Sequence, residues 1–404
     1  MAIVTQTRAL VGGVETYLQR VIAGLVHRHA VAFWSASDEA SPRGSIAMPA
    51  SVTTWPKGAS VTDAVRSLRA FAPDVLFSHG LDDPSLEAQV LTIAPTVAVQ
   101  HNYHGACVSG TKTMSWPTVR ACERRLGPAC LALYFPRRCG GLSPFTMARM
   151  YETQTARLAT LGRCAHVVTL SAHMRDEMVR QGLPAHRVHV VPPFVEPREI
   201  LEAAAIPGDD TIRLLFLGRL EPLKGVSGLI DTLPLVAASA GRQVVLTVAG
   251  EGAERGKLEV KARRAQAADP RVSVRFAGWQ DAAGRDRLLA ECHALVVPSL
   301  WPEPFGLVGL EAAAAGVPAV AFATGGIVDW LKDGTTGCLA PTEGARRPAL
   351  AGAILRCVVD PGVQRRLAEG AREFAARWTI DRHLTMLDSV FALAAHSAGG
   401  SDHP

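Results

Sequence analysis

Lysine is scarce. Only Lys57, Lys112, Lys224, Lys257, Lys261 and Lys332 occur in 404 residues, so arginine supplies nearly all of the positive charge, in an Ala/Arg-rich style that points to a GC-rich bacterial gene. No apolar run is long enough to span a bilayer. The longest, Val308 to Phe322, is broken by Glu311, Gly316 and Pro318 and falls short of the ~20 residues that a spanning helix needs. The N-terminal MAIVTQTRALVGGVE has no basic region followed by an apolar one, so a secretory leader is not expected. No period of about 20–50 residues repeats, which excludes a solenoid. No C-x-x-C pair and no G-x-G-x-x-G occur where a zinc knuckle or a dinucleotide fingerprint would need them, which argues against NAD as a ligand. Glycine (36) and proline (26) show no period, which excludes collagen.

What is present is apolar. Hydrophobic residues make up 48% and charged residues 20%, with a mean hydropathy of +0.15 that owes most to alanine. Such a chain folds, and its length suits two domains of roughly 150–200 residues. The net charge of +5 is unevenly spread. Residues 101–150 hold Lys112, Arg120, Arg124, Arg125, Arg137, Arg138 and Arg149 against Glu123 alone, a net +6 that leaves the remainder at −1. A local patch of this kind attracts an anionic acceptor, a membrane surface or nucleic acid, or is simply a solvated face.

Short apolar runs alternate with helical periodicity, which predicts an α/β protein with parallel sheets. In the first half strands are expected at Ala2–Thr5, His29–Trp34, Asp74–Phe77, Thr96–Val99, His166–Leu170 and Arg187–Val191. Helices are expected at Val14–Leu25, Glu152–Leu161 and Ala172–Gln181. Two of the strands end at His79 and His101, where ligands bind in open parallel sheets. Residues 102–150 break the rhythm and read as an insertion. Residues 196–211 read as a linker. A second series follows, with strands at Arg213–Leu217, Val244–Ala249, Val272–Phe276, Ala294–Pro298, Ala319–Phe322 and Gly337–Leu339. A last helix is expected over Ile380–Ala394.

The strongest chemistry-bearing stretch is Pro298 to Ala312, in which Glu303 precedes a helix opening near Gly306 and Glu311 lies in its second turn. The amides of Phe305, Gly306 and Leu307 would face outward at the helix start, a position that favours phosphate or sugar oxygens. The two carboxylates suit vicinal hydroxyls. Arg219 and Lys224, in Gly218–Gly225, offer a planar fork and a point charge to phosphates. Gly250 and Gly252 would let backbone approach a ligand, as would Gly12 and Gly13 in the first half. Trp279 could stack on a base.

Cys107, Cys122, Cys130 and Cys139 fall within the insertion, near His101 and His104. Free thiols, a structural metal and disulfides all remain open readings for them.

These motifs resemble the retaining nucleotide-sugar glycosyltransferases of GT-B fold, the group 1 family typified by bacterial hexosyl- and mannosyltransferases. The residues that carry the resemblance are G-R-L-x-P-x-K-G at 218–225, G-E-G at 250–252, F-x-G-W at 276–279, P-S-x-x-P-E-P-F-G-L-V-x-L-E-A at 298–312, A-T-G-G at 323–326 and D-G-T-T-G at 333–337. They cover the second domain. The first domain matches more loosely, with Pro193-Phe194 where the family usually has Asn-Gly.

The resemblance implies two Rossmann-like domains facing across a cleft. An acceptor-binding domain would span 1–195 and a nucleotide-sugar domain 212–375, with 376–404 forming a terminal helix that returns to the first domain. It implies that Arg219 and Lys224 hold the donor diphosphate, Glu311 the ribose and Glu303 the transferred sugar. Gly13 would approach the diphosphate or acceptor, and His101 would lie near the sugar. No catalytic metal is implied. The donor would be a UDP- or GDP-sugar. The acceptor would be a saccharide, a lipid-linked glycan or another cell-envelope or secondary-metabolite molecule, as in polysaccharide biosynthesis. A cytoplasmic protein is expected, touching the inner membrane face through residues 101–150, with no nucleic acid as partner. A sugar-nucleotide epimerase, a phosphorylase and a non-catalytic donor-binding protein are the alternatives.

Overall fold

The computed structural model describes residues 1–10, 13–37, 41, 44–55, 61–196 and 210–399. The chain divides into two compact units. One comprises 1–118, 122–194 and 380–404, the other 119–121 and 195–379. Most of the expected linker, and Gly12, lie outside the described residues. No helix among the described residues is long and apolar enough to cross a membrane.

In the first unit a seven-stranded parallel sheet has the order Thr53–Thr54, Ala32–Ser37, Ala2–Thr7, Leu76–Ser78, Thr96–Gln100, His166–Thr169, Val188–Val190. The pleat divides its side chains. Ile3, Phe33 and Phe77 enter one core with Leu18, Val21 and Ile22 of the helix Gly13–Leu25, while Ala2, Val4, Trp34 and Leu76 enter another on the opposite face. Burial on both faces is why these strands read as continuous apolar runs. The helix Ile380–Gly399 contributes Leu384, Leu387, Val390 and Phe391 to the first of these cores.

The second unit holds a six-stranded parallel sheet in the order Val272–Gly278, Gln243–Ala249, Thr211–Leu217, Ala294–Val297, Ala319–Phe322, Gly337–Ala340. The first strand in sequence therefore lies beside the fourth. That reversal of strand order is the switch point where doubly wound sheets bind ligands beyond the strands' carboxyl ends.

Three boundaries differ from expectation. The last helix runs to Gly399 rather than Ala394. The second strand starts at Ala32, not His29, because His27 to His29 finish the turn after the first helix and His29 Nε2 bonds Asp388 Oδ1 at 2.7 Å. The insertion ends at residue 143, not 150, because a helix spans Pro144–Arg163. Ser143 caps it by accepting from the Thr146 N–H at 3.2 Å, and Pro144 occupies its first turn. Its opening turn is solvated, with Phe145 90% exposed, so no apolar stripe marks that turn in the sequence.

Candidate active site

In the second unit, the strand Thr211–Leu217 leads into Arg219 and then the single turn Pro222–Lys224. Gly225 follows with φ of 76°, and a Cβ there would lie 1.9 Å from the Pro298 carbonyl oxygen. Only glycine lets this turn press onto the loop after the fourth strand. The contact brings two sequence motifs together. Lys224 Nζ donates to Glu303 Oε1 at 2.7 Å, and Ser299 Oγ donates to the same oxygen. Glu303 is 7% exposed, and Lys224 also lies 5.3 Å from the Trp301 ring centroid. Arg219 reaches outward, 71% exposed, and pairs with Glu221 at 2.8 Å.

The helix Leu307–Ala314 starts after Gly306, which has φ of 88° and leaves the terminus with no side-chain cap. Phe305 is buried, and its carbonyl accepts from Trp330 Nε1 at 2.7 Å, fixing the approach to the helix. Glu311, in the second turn, accepts from Arg285 Nη1 at 2.6 Å. Arg285 and Ser299 were missed in the sequence reading. Ser299 stood inside the quoted motif. Arg285 lies on the helix Ala282–Ala290, outside any motif, and no sequence signal marks it.

Gly250 and Gly252 have a packing role in the structure. A Cβ at Gly250 would lie 1.9 Å from Gly218 O, and one at Gly252 2.4 Å from Leu220 O. The Leu220 N–H donates to Glu251 O at 2.9 Å. These glycines make room for the neighbouring loop, and that packing is one reason for their lack of a side chain. Trp279 stands 54% exposed after the strand Val272–Gly278.

In the first unit, Gly13 opens its helix with nothing within 4 Å of an added Cβ. His101 follows the strand Thr96–Gln100, and its Nε2 lies 2.9 Å from His79 Nδ1. Tyr17 stands edge-on to His101 at 5.4 Å, and its hydroxyl lies 2.8 Å from His383 Nε2. His383 Nδ1 donates to the Pro192 carbonyl at 2.7 Å. Phe194, at the departure from the family pattern, packs 5.1 Å from the His383 ring. Burial, with the mutual repulsion of the rings, pushes His101 down to about 4 and His79 well below its ordinary value. Burial also pushes His383 down to about 4, against the Pro192 carbonyl, which favours the charged form. The rings are neutral at pH 7 and act as hydrogen-bonding groups.

This has a measurable consequence. The unfolded chain protonates His101 and His383 near 6.5 and the folded protein only near 4, so the unfolded state holds more protons between those values. Stability is therefore fully present above pH 6.5 and falls towards pH 4, by up to about 1.4 kcal/mol per pH unit for each histidine. Urea midpoints measured across this range should show the fall, and His383→Gln should flatten it. A profile equally steep in the variant would mean that carboxylates alone set the slope.

The insertion's charge is also redistributed. Lys112, counted with the basic patch, is 2% exposed and pairs with Glu177 (1% exposed) at 2.7 Å. Arg125 donates from Nε to the Arg180 carbonyl. His104 is engaged by Arg157 at 2.8 Å and His101 by His79, so neither turns to the cysteines. The eight cysteines are all free thiols, and no three His, Cys, Asp or Glu side chains among the described residues are placed to hold a metal ion as they stand.

A family model described as glycosyl transferases group 1 matches residues 198–374, and one described as glycosyl transferase 4-like domain matches 12–193. Similar relatives are the glycogen synthase of Mycobacterium tuberculosis, 35% identical over 51% of this chain and 49% of that protein, and the D-inositol 3-phosphate glycosyltransferase of Actinosynnema mirum, 34% identical over 52% of each. The chain spans about half the length of these curated relatives. Among solved structures, HepE of Anabaena in complex with UDP and glucose is similar with a TM-score of 0.67, at 18% identity over 97% of this chain and 99% of that one. WaaG, a glycosyltransferase involved in lipopolysaccharide biosynthesis, has a TM-score of 0.66, at 16% identity over 97% and 99%. At such identities the likeness is one of fold. One model covers the second unit's sheet and the other most of the first's, so the chain carries a glycosyl transferases group 1 domain and a glycosyl transferase 4-like domain, and it has the GT-B fold of these structures.

Proposed function

We propose that this protein is a retaining glycosyltransferase that moves a hexose from a nucleoside-diphosphate sugar to a saccharide or lipid-linked acceptor. The observation that carries this reading is the Lys224–Glu303 pair at the switch point of the second sheet, with Arg219 on the same loop. As the glycosidic bond breaks, the leaving diphosphate gains negative charge, and Lys224, Arg219 and the uncapped helix start offset it. Arg219 must leave Glu221 to do so, which costs at most about 1 kcal/mol for an exposed pair. Both contacts to Glu303 fall on Oε1, so Oε2 is the atom to receive a sugar hydroxyl. Arg285 orients Glu311 for the ribose. His101, neutral and held by His79, would serve as a hydrogen-bonding group of the first unit. The charges of the insertion, half-buried Arg137 and exposed Arg138 among them, suit an anionic acceptor or an anionic membrane face.

Thermal melts with UDP, GDP and ADP test the donor site. A nucleotide at 100 times its Kd adds roughly 2.7 kcal/mol of stability. UDP is the first to try, since HepE was solved with UDP. A shift seen with one nucleotide and lost in Arg219→Ala supports the reading, and no shift with any of them counts against it. With the donor known, Arg137→Ser with Arg138→Ser should raise acceptor KM and leave donor hydrolysis unchanged; equal loss of both would mean a folding role.

A further inference from the structure

We propose that Leu142 and Phe145, where the insertion meets the helix Pro144–Arg163, dock into the interface of an anionic lipid bilayer, with the arginines around them meeting lipid phosphates. The proposal deepens the reading of the insertion's charges, choosing a membrane face over a soluble anionic acceptor, and it does not depend on sugar transfer. Exposed apolar residues scattered singly need no explanation. Here Leu142 is 85% exposed and Phe145 90%, the two highest values among the exposed large hydrophobic side chains described. They stand three residues apart in sequence, and Trp116 of the same insertion is 51% exposed.

The backbone holds this tip in place from both sides. Before it, the Cys139 N–H donates to the Tyr134 carbonyl at 2.9 Å. Gly140 packs so close to the buried Tyr134 that an added Cβ would lie 2.1 Å from the hydroxyl oxygen. After it, the Ser143 cap and Pro144 start the helix. Leu142 and Phe145 flank that cap, so both rise from anchored backbone. A tip already fixed loses little chain freedom when it docks.

Charge selects the partner. From Arg124 to Tyr151 the chain carries five arginines and no aspartate or glutamate. Arg149 is exposed and lies one turn along the helix from Phe145, on the same face. Arg138 is also exposed and stands 4.9 Å over the Trp116 ring. It precedes Leu142 by four residues, a span of no more than about 14 Å along the chain, so the indole lies near the tip. Apolar side chains beside an indole suit the boundary between headgroups and acyl chains. The arginine fork suits lipid phosphate. A second copy of the chain would set the same arginines against these, with no carboxylate in the segment to answer them. An anionic leaflet answers them all.

The full chain is sedimented with vesicles of phosphatidylglycerol and phosphatidylcholine in equal parts, and with vesicles of phosphatidylcholine alone, with no sugar donor or acceptor present. Binding to the anionic vesicles is expected, about tenfold or more tighter than to the neutral ones, and weakening as salt screens the arginines. Leu142→Ser with Phe145→Ser should weaken it by about tenfold or more. The melt without lipid should not change, because both side chains already face solvent. Arg149→Gln should weaken binding about fivefold. No binding to the anionic vesicles overturns the proposal. So does binding that the Leu142, Phe145 double variant retains in full, which would leave the arginines attracted and the tip outside the bilayer. A native chain that is dimeric in solution, and monomeric in the double variant, would make the tip a contact between copies instead. The nucleotide melts use no lipid, so the donor site and the membrane tip can each fail while the other stands.

Discussion

Lys224→Met lowers kcat/KM for glycosyl transfer by about 10²–10³-fold, the ~2.7–4 kcal/mol typical of removing one preorganised group that faces developing charge. The same change leaves Glu303, 7% exposed, with Ser299 as its only remaining donor among the contacts described. The apo protein therefore also loses stability, by less than the roughly 3–5 kcal/mol of a fully enclosed pair because Lys224 reaches solvent. The two losses separate in the double variant Lys224→Met, Glu303→Gln. A neutral amide at 303 still meets Ser299 and needs no cation, so the apo melt recovers while transfer stays low. Steady-state kinetics with the nucleotide sugar that stabilises the native protein, alongside melts without ligand, measure both. Recovery of activity together with the melt would show that Lys224 serves folding and not the leaving group.

Lys112→Met destabilises the first unit by roughly 3–5 kcal/mol, the cost of stranding a buried charge. Lys112 and Glu177 are 2% and 1% exposed, and Lys112 also donates to the Arg124 carbonyl. Glu177 keeps Arg180 and Gln181 as donors, so part of its charge stays answered and the lower end of the range is expected. Adding Glu177→Leu removes the orphaned carboxylate and should recover part of the loss, because an apolar pair of similar volume is often as stable as the ion pair. Urea unfolding followed by tryptophan emission reads the midpoints. An unchanged midpoint in Lys112→Met would mean that water reaches the pair and that its burial is only apparent.

Much of the second unit was legible in the sequence. Its strands are mostly apolar, so each run stands out against polar loops, and all six appear within a few residues of their expected places. Gly225 closes a motif in the sequence, but only its packing against Pro298, where an added Cβ would lie 1.9 Å from the carbonyl oxygen, explains why Lys224 meets Glu303, 79 residues away. Gly250 and Gly252 read as points of close approach, and only the structure shows that the Gly218 and Leu220 carbonyls are among the groups that approach. Arg285 was invisible, since a lone arginine on a solvated helix carries no pattern. In the first unit, the His79–His101 and Tyr17–His383 contacts join residues up to 366 apart, beyond any local signal.

The sequence by itself determined the fold class, the two sheets and the glycosyltransferase motifs, because alternation of apolar runs and spaced motifs are local properties of the chain. Tertiary structure decided charge. Lys112 counted as surface in the sum over the basic segment, and burial against Glu177 removed it from the patch. Three histidines that would titrate near neutrality in an open chain are held neutral by burial and by one another. A charge depends on the solvent and partners around it, and those are set only once distant segments pack.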